Sequence, residues 1–253
     1  MSYTHREQRE AFHLLFLARL LKISDPRLFV LKGGVNLRFF YNSPRYSEDM
    51  DLDVLGGAIQ TLQKNGYRIL EDAAFRRSLA TFGIAEMIVN DPGKAKQTGT
   101  TQRFRAQLVT DAGEHLPTKV EFSRRDVTDA YETRPISPSV VRPYGQLAFA
   151  CQHFTGESAV RQKIFAMAHR NQVQARDVFD LFILWSGGHA ESFDVTTISA
   201  GDRKLARENL VSLDYPDYEG QVLDYLEPEV RDQYSDPDFW RQASERVLEI
   251  LGD

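Results

Sequence analysis

Three acidic residues alternate with apolar ones early in the chain, and this spacing points to metal chemistry. The acidic residues are Asp49, Asp51 and Asp53, and the apolar ones are Met50, Leu52 and Val54. This period-two pattern predicts a β-strand with one acidic and one apolar face. Carboxylates aligned on one face repel each other unless a cation binds between them, and hard oxygen ligands suit Mg²⁺. Asp49 and Asp51 are therefore the first candidate metal ligands.

A glycine pair precedes the acidic segment and predicts a phosphate-binding turn. The short apolar run Phe29–Leu31 is followed by Gly33 and Gly34, and then by a helical pattern over Val35–Tyr41. This order predicts a strand, a tight turn and a helix that begins after the glycines. Because no side chain caps that helix, its first N–H groups are available to phosphate. Each feature alone is typical of a turn or a solvated strand, but their combination favours a functional site.

Two helices later in the chain carry the other candidate groups. Residues 157–170 have a helical apolar period, and Lys163 borders the apolar stripe. Residues 176–185 are apolar nearly all round, yet Asp177 and Asp180 share one face at the start. Buried acids need partners. We assign Asp177 to chemistry and Asp180 to structure. Three alternatives stay open. The roles of Asp177 and Asp180 could be exchanged, or one of these acids could only cap the helix. Lys163 could also cover apolar surface with its stem while its ammonium group stays in water.

Length and composition predict two modest domains or one large one. The chain has 253 residues and a formal net charge of −5, which argues against binding nucleic acid through bulk charge. A single cysteine, Cys151, excludes an intrachain disulfide and suits a reducing cytoplasm. No apolar run approaches the ~18 residues that span a membrane. Three prolines within residues 134–143 mark a predicted boundary between a mixed α/β part, 1–134, and a mostly helical part, 144–253.

The remaining periodicity predicts the elements that position these groups. Helices are predicted over residues 5–22, 58–65 and 70–81, with Gly66 as the C-cap of the second. Strands are predicted over 82–89, 101–109 and 117–125, with a hairpin loop over 90–99 between the first two. On the last strand Glu121 points away from the apolar face, so it is either exposed or available to a ligand.

These motifs resemble those of a known enzyme family. The glycine pair followed by Asp-Met-Asp resembles the polymerase-β-like nucleotidyltransferase signature. The longer string from Lys32 to Asp51, with Arg45-Tyr-Ser47-Glu-Asp49 inside it, resembles the AbiEii/AbiGii-type nucleotidyltransferase toxins. Those proteins have a later helix with a lysine, here Lys163, and then Arg-x-Lys-Asp-x-x-Asp-Leu. The chain keeps Asp-x-x-Asp-Leu but departs at the two basic positions: Gln174 lacks the charge of the arginine, and Arg176 keeps the charge of the lysine with a different geometry.

The resemblance implies a fold and an activity. The fold is α/β (α+β): a nucleotidyltransferase domain over residues 1–134, with a mixed sheet flanked by helices, and a helical C-terminal domain over 144–253. The activity is transfer of a nucleoside monophosphate from an NTP to a hydroxyl acceptor such as the 3′ end of tRNA. The protein would act as a toxin whose partner is an antitoxin.

The resemblance also implies roles for the candidate residues. Two Mg²⁺ ions would bind to Asp49 and Asp51, with Glu121 as a third ligand. Phosphate groups would bind to the glycine pair, to Arg45 and Ser47, and to Lys163, which Asp177 would orient. The nucleotide-binding and catalytic residues are thus Gly33, Gly34, Arg45, Ser47, Asp49, Asp51, Lys163 and Asp177.

Two other functions compete with RNA modification. The same fold would serve nucleotidylation of a protein or of a small molecule such as an aminoglycoside, and a degenerate transferase would only bind nucleotide or a partner. Net charge disfavours RNA, whereas a strip of basic residues favours it. This strip comprises Lys94, Arg103, Arg105, Arg124, Arg125, Arg161 and Arg170.

Overall fold

A computed structural model describes residues 3–91, 97–124 and 126–252. These residues form two compact units. The first comprises the described residues up to Phe40 and those of Tyr46–Phe154. The second comprises Tyr41–Arg45 and the described residues from Thr155 onward. Within the described part of the chain, none of the helices combines the length and apolar character required to cross a membrane.

A mixed seven-stranded sheet forms the centre of the first unit, in the order β3-β4-β5-β2-β1-β7-β6. The strands are β1 Phe29–Lys32, β2 Met50–Val54, β3 Ile84–Val89, β4 Thr101–Thr110, β5 His115–Ser123, β6 Tyr131–Pro135 and β7 Ala150–Phe154. β2 pairs antiparallel with β1 and parallel with β5. The predicted mixed sheet is confirmed, and the acidic strand lies at its centre.

Helices flank this sheet. They are α1 His5–Ile23, α2 Gly33–Phe40, α3 Ile59–Glu71, α4 Ala73–Ala80 and α5 Pro138–Val141. α1 matches its prediction, and Thr4 caps its N-terminus by forming a capping box with Glu7. Phe12 and Phe16 of α1 contact the ring of Phe75 in α4, and all three side chains are buried. The helical layer is therefore held by an aromatic core.

The predicted end of α3 at Gly66 is wrong. The helix continues to Glu71, and Gly66 is buried in its middle. A Cβ atom at Gly66 would lie 2.4 Å from two ring carbons of Phe104 in β4. Glycine is therefore required here for close packing of helix on sheet, not for a left-handed cap. α4 likewise begins later than predicted, because Asp72 caps it at Ala73.

We expect Gly66→Ala to destabilise the protein by about 1–3 kcal/mol, because the added methyl group overpacks the contact with Phe104. The better helix propensity of alanine, worth up to about 1 kcal/mol, does not offset this cost. Gly220 is the matched control, because it lies in a helix and a Cβ there meets no atom within 4 Å. Chemical denaturation should show loss of stability for Gly66→Ala and none for Gly220→Ala; equal effects would contradict the packing argument.

The second unit is helical beyond Thr155, as predicted. Its helices are α6 Gly156–His169, α7 Ala175–Ser186, α8 Ala200–Val211, α9 Tyr215–Gln221, α10 Arg231–Tyr234 and α11 Pro237–Leu251. An aromatic cluster surrounds the buried Tyr218, whose ring stacks on Trp240 and contacts Phe179. The aromatic residues of the acidic segment 214–219 thus contribute to this core.

The sheet extends beyond the proline-rich segment. β7 follows that segment and pairs parallel with β1, so residues 150–154 belong to the first unit. The compact units therefore divide between Phe154 and Thr155, later than the predicted boundary at 134–144. Pairing with a strand more than a hundred residues earlier decides this position, and local sequence does not reveal it. The domains 1–134 and 144–253 stay a prediction.

Candidate active site

The glycine pair lies directly against the acidic strand. Helix α2 begins at Gly33 itself, so the predicted start at Val35 is wrong by two residues. Gly33 has a φ of 68°, which lets the chain turn from β1 straight into α2 without an intervening loop. A Cβ atom on Gly33 would lie 3.3 Å from Oδ2 of Asp51. The backbone of the turn and the Asp51 carboxylate therefore share one small region.

Among the acids of this strand, Asp51 has no side-chain partner within the described residues. It lies opposite Lys32 of β1 and Glu121 of β5 in the sheet register. Its side chain forms no hydrogen bond or ion pair with any residue that the structure describes. Burial raises the pKa of Asp51; Lys32 and Lys119 lower it, while Glu121 and Asp49 raise it further. The net rise means that the fold leaves this carboxylate short of positive charge.

The acids around Asp51 each contact a basic side chain. Lys119 donates to Asp49 through its backbone nitrogen, at 3.1 Å, and through Nζ, at 2.6 Å. Arg103 Nε donates to Glu121 Oε2 at 2.5 Å. Asp53 forms an ion pair with Lys32. Sequence reasoning did not assign Lys32 or Lys119, although basic residues at neighbouring strand positions are the expected way to offset a row of acids.

Asp49 lies just before β2, in a segment held by side-chain hydrogen bonds. Ser47 Oγ donates to the Asp49 carbonyl at 2.9 Å, so the residue predicted to bind phosphate here shapes the turn. The Thr118 hydroxyl donates to the carbonyl of Glu48 at 2.7 Å. His13 Nε2 lies 2.9 Å from the same hydroxyl. Burial lowers the pKa of His13 to about 4, so its ring is neutral at neutral pH.

The donor set suits a divalent cation at Asp51 in charge and in ligand type. Within residues 3–91, 97–124 and 126–252, no three acidic, histidine or cysteine side chains are arranged to hold a metal ion together. The half-buried Asp51 nevertheless lies beside the carboxylates of Asp49 and Glu121 and has no ion-pair partner in the part of the chain that the structure describes. Carboxylate oxygens are hard ligands, which suit hard cations such as Mg²⁺.

Lys163 lies between two buried carboxylates within the second unit. Its Nζ donates to Asp177 Oδ1 at 2.8 Å and to Asp180 Oδ2 at 2.5 Å. Asp177 and Asp180 are buried, with 1% and 0% of their surface exposed. The ammonium group is therefore held in place by two carboxylates. It is not a solvated lysine head, which was the alternative interpretation. Both acids orient Lys163. Their contacts therefore do not decide which of the two takes part in the chemistry and which is structural.

Arg45 is the second cation of this cluster. The guanidinium donates to both oxygens of Asp180, with Nη2–Oδ2 at 2.8 Å, and Arg45 is 4% exposed. This position differs from the phosphate contact predicted for Arg45. Burial alone would raise the pKa of Asp180, but Arg45 and Lys163 together hold it below its usual value. Arg170 Nη1 binds Asp177 Oδ2 at 2.7 Å, so basic and acidic groups alternate through the cluster.

Most described members of the basic strip bind other parts of the chain. Arg103 and Arg170 form the ion pairs given above, and Arg124 donates to Gln102 and to the carbonyl of Gly57. Arg161 donates to Thr197. Arg105 is exposed. Lys94 and Arg125 lie outside the described residues. These contacts weaken the sequence argument that the strip is a free surface for RNA.

Comparisons with known proteins point to one family. A family model described as nucleotidyl transferase AbiEii toxin, Type IV TA system, matches residues 15–245. JHP933 from Helicobacter pylori has a similar structure, with a TM-score of 0.59, 21% identity, and 99% of this chain and 95% of that chain covered. A second H. pylori structure, provisionally assigned as a nucleotidyltransferase, has a TM-score of 0.54, 20% identity and 97% and 96% coverage. At these identities the two structures show a shared fold. Among curated proteins, none matches the chain.

Proposed function

The chain belongs to the AbiEii nucleotidyltransferase toxin family, and we propose that it transfers a nucleoside monophosphate from an NTP to the 3′ end of tRNA in a Mg²⁺-dependent reaction. The acceptor oxygen forms a bond to the α-phosphorus. The bond from that phosphorus to the bridging oxygen of the β-phosphate breaks, pyrophosphate leaves, and the hydroxyl proton passes to water. The enzyme class and the toxin family follow from membership. The metal, the acceptor and the residue roles are proposed.

The observation that carries this proposal is the unpaired carboxylate of Asp51 against the Gly33 turn. A half-buried carboxylate with a raised pKa and no partner destabilises a fold, so its presence calls for a ligand. We assign Asp51 and Asp49 as ligands of two Mg²⁺ ions, with Glu121 as the third ligand. When bound, the ions supply charge stabilisation to the attacking and leaving oxygens.

The other residues of the first unit act on the nucleotide. Gly33 and Gly34 allow the triphosphate to approach the main chain, and the N-terminus of α2 supplies N–H donors and positive potential. Lys119 and Arg103 now neutralise Asp49 and Glu121. If these carboxylates bind cations, the two basic side chains become available to phosphate oxygens. Ser47 supports the turn that carries Asp49, and its phosphate contact stays a prediction.

Lys163 is proposed to neutralise negative charge on the transferred phosphate or on pyrophosphate. Asp177 and Asp180 hold its ammonium group in one orientation, which lowers the entropy lost in the transition state. Arg45 fixes Asp180, so we now propose that it acts through that carboxylate. The assignment of Lys163 to the reaction rests on its charge and on the family motif.

Membership in a toxin–antitoxin family implies an antitoxin partner. We propose that this partner silences the transferase, and that the enzyme works in the cytoplasm, where NTPs and tRNA are available. The single buried Cys151, whose pKa burial raises to about 12, is consistent with a reducing compartment.

The test is transfer of label from each α-labelled NTP, with Mg²⁺, to purified tRNA, to total cell protein and to aminoglycosides. We expect label on tRNA 3′ ends, sensitivity to EDTA, and no transfer by Asp49→Ala. Glu86→Ala is the control, because Glu86 is an exposed acid of strand β3. Label on protein or aminoglycoside alone would identify a different acceptor. NTP binding without any transfer would favour a degenerate, binding-only protein.

A further inference from the structure

Two residues of strand β5 form hydrogen bonds to the segment that carries Asp49. Asp49 immediately precedes β2, at the end of the ladder between β2 and β5. Thr118 Oγ1 donates to the Glu48 carbonyl at 2.7 Å, and the next residue of β5, Lys119, binds the Asp49 carboxylate. Thr118 thus fixes the main chain at Glu48, and Lys119 binds the side chain of the next residue, Asp49.

Helix α1 holds Thr118 in turn. His13 Nε2 lies 2.9 Å from Thr118 Oγ1, and both side chains are buried. Because the Thr118 hydroxyl gives its hydrogen to Glu48, it accepts from His13, whose Nε2 therefore carries the hydrogen. Four residues earlier on the same face, Arg9 Nε donates to the Pro117 carbonyl at 3.0 Å. A relay of hydrogen bonds runs from α1 through β5 to the main chain beside Asp49.

We propose that His13 and Thr118 are positioning residues for the transfer reaction: they hold the main chain at Glu48 so that the Asp49 carboxylate is preorganised for its cation. This inference rests on the metal role proposed for Asp49. The relay contacts neither the carboxylate nor the reacting atoms, and it acts only through the backbone. Groups that orient a metal ligand change metal affinity or activity by about 10–100-fold when they are removed.

The test compares two buried threonines. Thr118→Val keeps the shape of the side chain but removes the hydroxyl group. Thr110→Val is the matched control, because Thr110 is also 5% exposed and also binds one backbone group, the nitrogen of Glu114 in the β4–β5 turn. Binding of Mn²⁺, followed by electron paramagnetic resonance of the free ion, gives a readout independent of turnover. We expect the Kd for Mn²⁺ to rise about tenfold or more in Thr118→Val, with a matching fall in kcat, and to stay unchanged in Thr110→Val.

Thr118→Ser keeps the hydroxyl group and should retain wild-type Mn²⁺ affinity, which protects the test against a variant that simply unfolds. If Thr118→Ser loses affinity as Thr118→Val does, the hydroxyl group is not the cause and the inference is wrong. His13→Leu should also weaken Mn²⁺ binding, but adding it to Thr118→Val should cost nothing more, because both act through one relay. If the losses of Mn²⁺ affinity in His13→Leu and Thr118→Val multiply in the double variant, the two residues act independently and the relay is wrong.

The two proposals fail in different ways. If wild-type protein binds Mn²⁺ no better than Asp49→Asn, the metal role of Asp49 is wrong, and the positioning role falls with it. If wild-type protein binds Mn²⁺ through Asp49 and Thr118→Val matches it in affinity and kcat, the metal site stands and only the positioning role is wrong.

Discussion

Asp51→Asn is expected to abolish nucleotidyl transfer and, at the same time, to raise the Tm of the metal-free protein at neutral pH. The loss of activity should be about 10²–10³-fold, the scale seen when one group that stabilises transition-state charge is removed. The gain in stability follows from the raised pKa of Asp51 and its lack of a partner. Asparagine has nearly the same shape and no charge to desolvate.

The stability effect should depend on pH in one direction. Because the pKa of Asp51 is higher in the folded state, ionisation weakens the folded state relative to the unfolded chain. Below the ordinary aspartate pKa of about 4 the carboxyl is protonated in both states and the variant gains nothing. The cost to wild-type protein grows as pH rises from there through the folded-state pKa. The Tm difference between variant and wild type should therefore appear above about pH 4.

Asp53→Asn is the control, because Asp53 lies two residues further along the same strand and is paired with Lys32. Its substitution removes a paired charge and should lower the Tm. Thermal melts in EDTA from pH 3.5 to 7.5 would measure both variants, and Mg²⁺ with NTP should stabilise wild-type protein but not Asp51→Asn. A fall in Tm for Asp51→Asn at pH 7 would show that the carboxylate is stabilised within the fold, and the argument for a bound cation would be lost.

Asp180→Ala is expected to cost about 3–5 kcal/mol of stability, because it leaves Arg45 and Lys163 with less compensating charge in a buried site. Asp180 is fully buried and accepts hydrogen bonds from both cations. The cost should also depend on pH. Folding lowers the pKa of Asp180, so its ionised carboxylate stabilises the folded state. This contribution to the free energy of unfolding is complete above the ordinary aspartate pKa of about 4 and is lost as pH falls through the folded-state pKa.

Urea denaturation of the variants measures this effect. The control is Glu249→Ala, which removes an exposed ion pair with Arg246 and should cost less than about 1 kcal/mol. Replacing Arg45 by Met together with Asp180 by Leu should recover much of the lost stability, because a buried ion pair replaced by apolar groups is often neutral. A loss below 1 kcal/mol for Asp180→Ala would contradict the buried network. If the double variant is stable but inactive, the pair serves to orient Lys163.

The elements of the candidate site were predictable because their signals are local. Alternation over Met50–Val54 specifies a strand, and the glycine pair ends β1 and starts α2 within a few residues. Helical spacing also placed Asp177 and Asp180 on one face of a buried helix. From that burial it followed that both acids need partners: Lys163 and Arg170 bind Asp177, and Lys163 and Arg45 bind Asp180.

The partners themselves were decided by tertiary structure. Arg45 and Asp180 are separated by 135 residues in sequence, and Asp49 and Lys119 by 70. No periodicity relates such positions, so sequence patterns left Lys119 and His13 without a role, and the family resemblance assigned Arg45 to phosphate. Gly66 shows the same limit, because the Phe104 ring that excludes a side chain there lies on a distant strand. By itself the sequence determined which groups can do chemistry and on which elements they lie. Only long-range packing decided which of these charges are neutralised, and among the acids of strand β2 it leaves Asp51 without a partner in the described part of the chain.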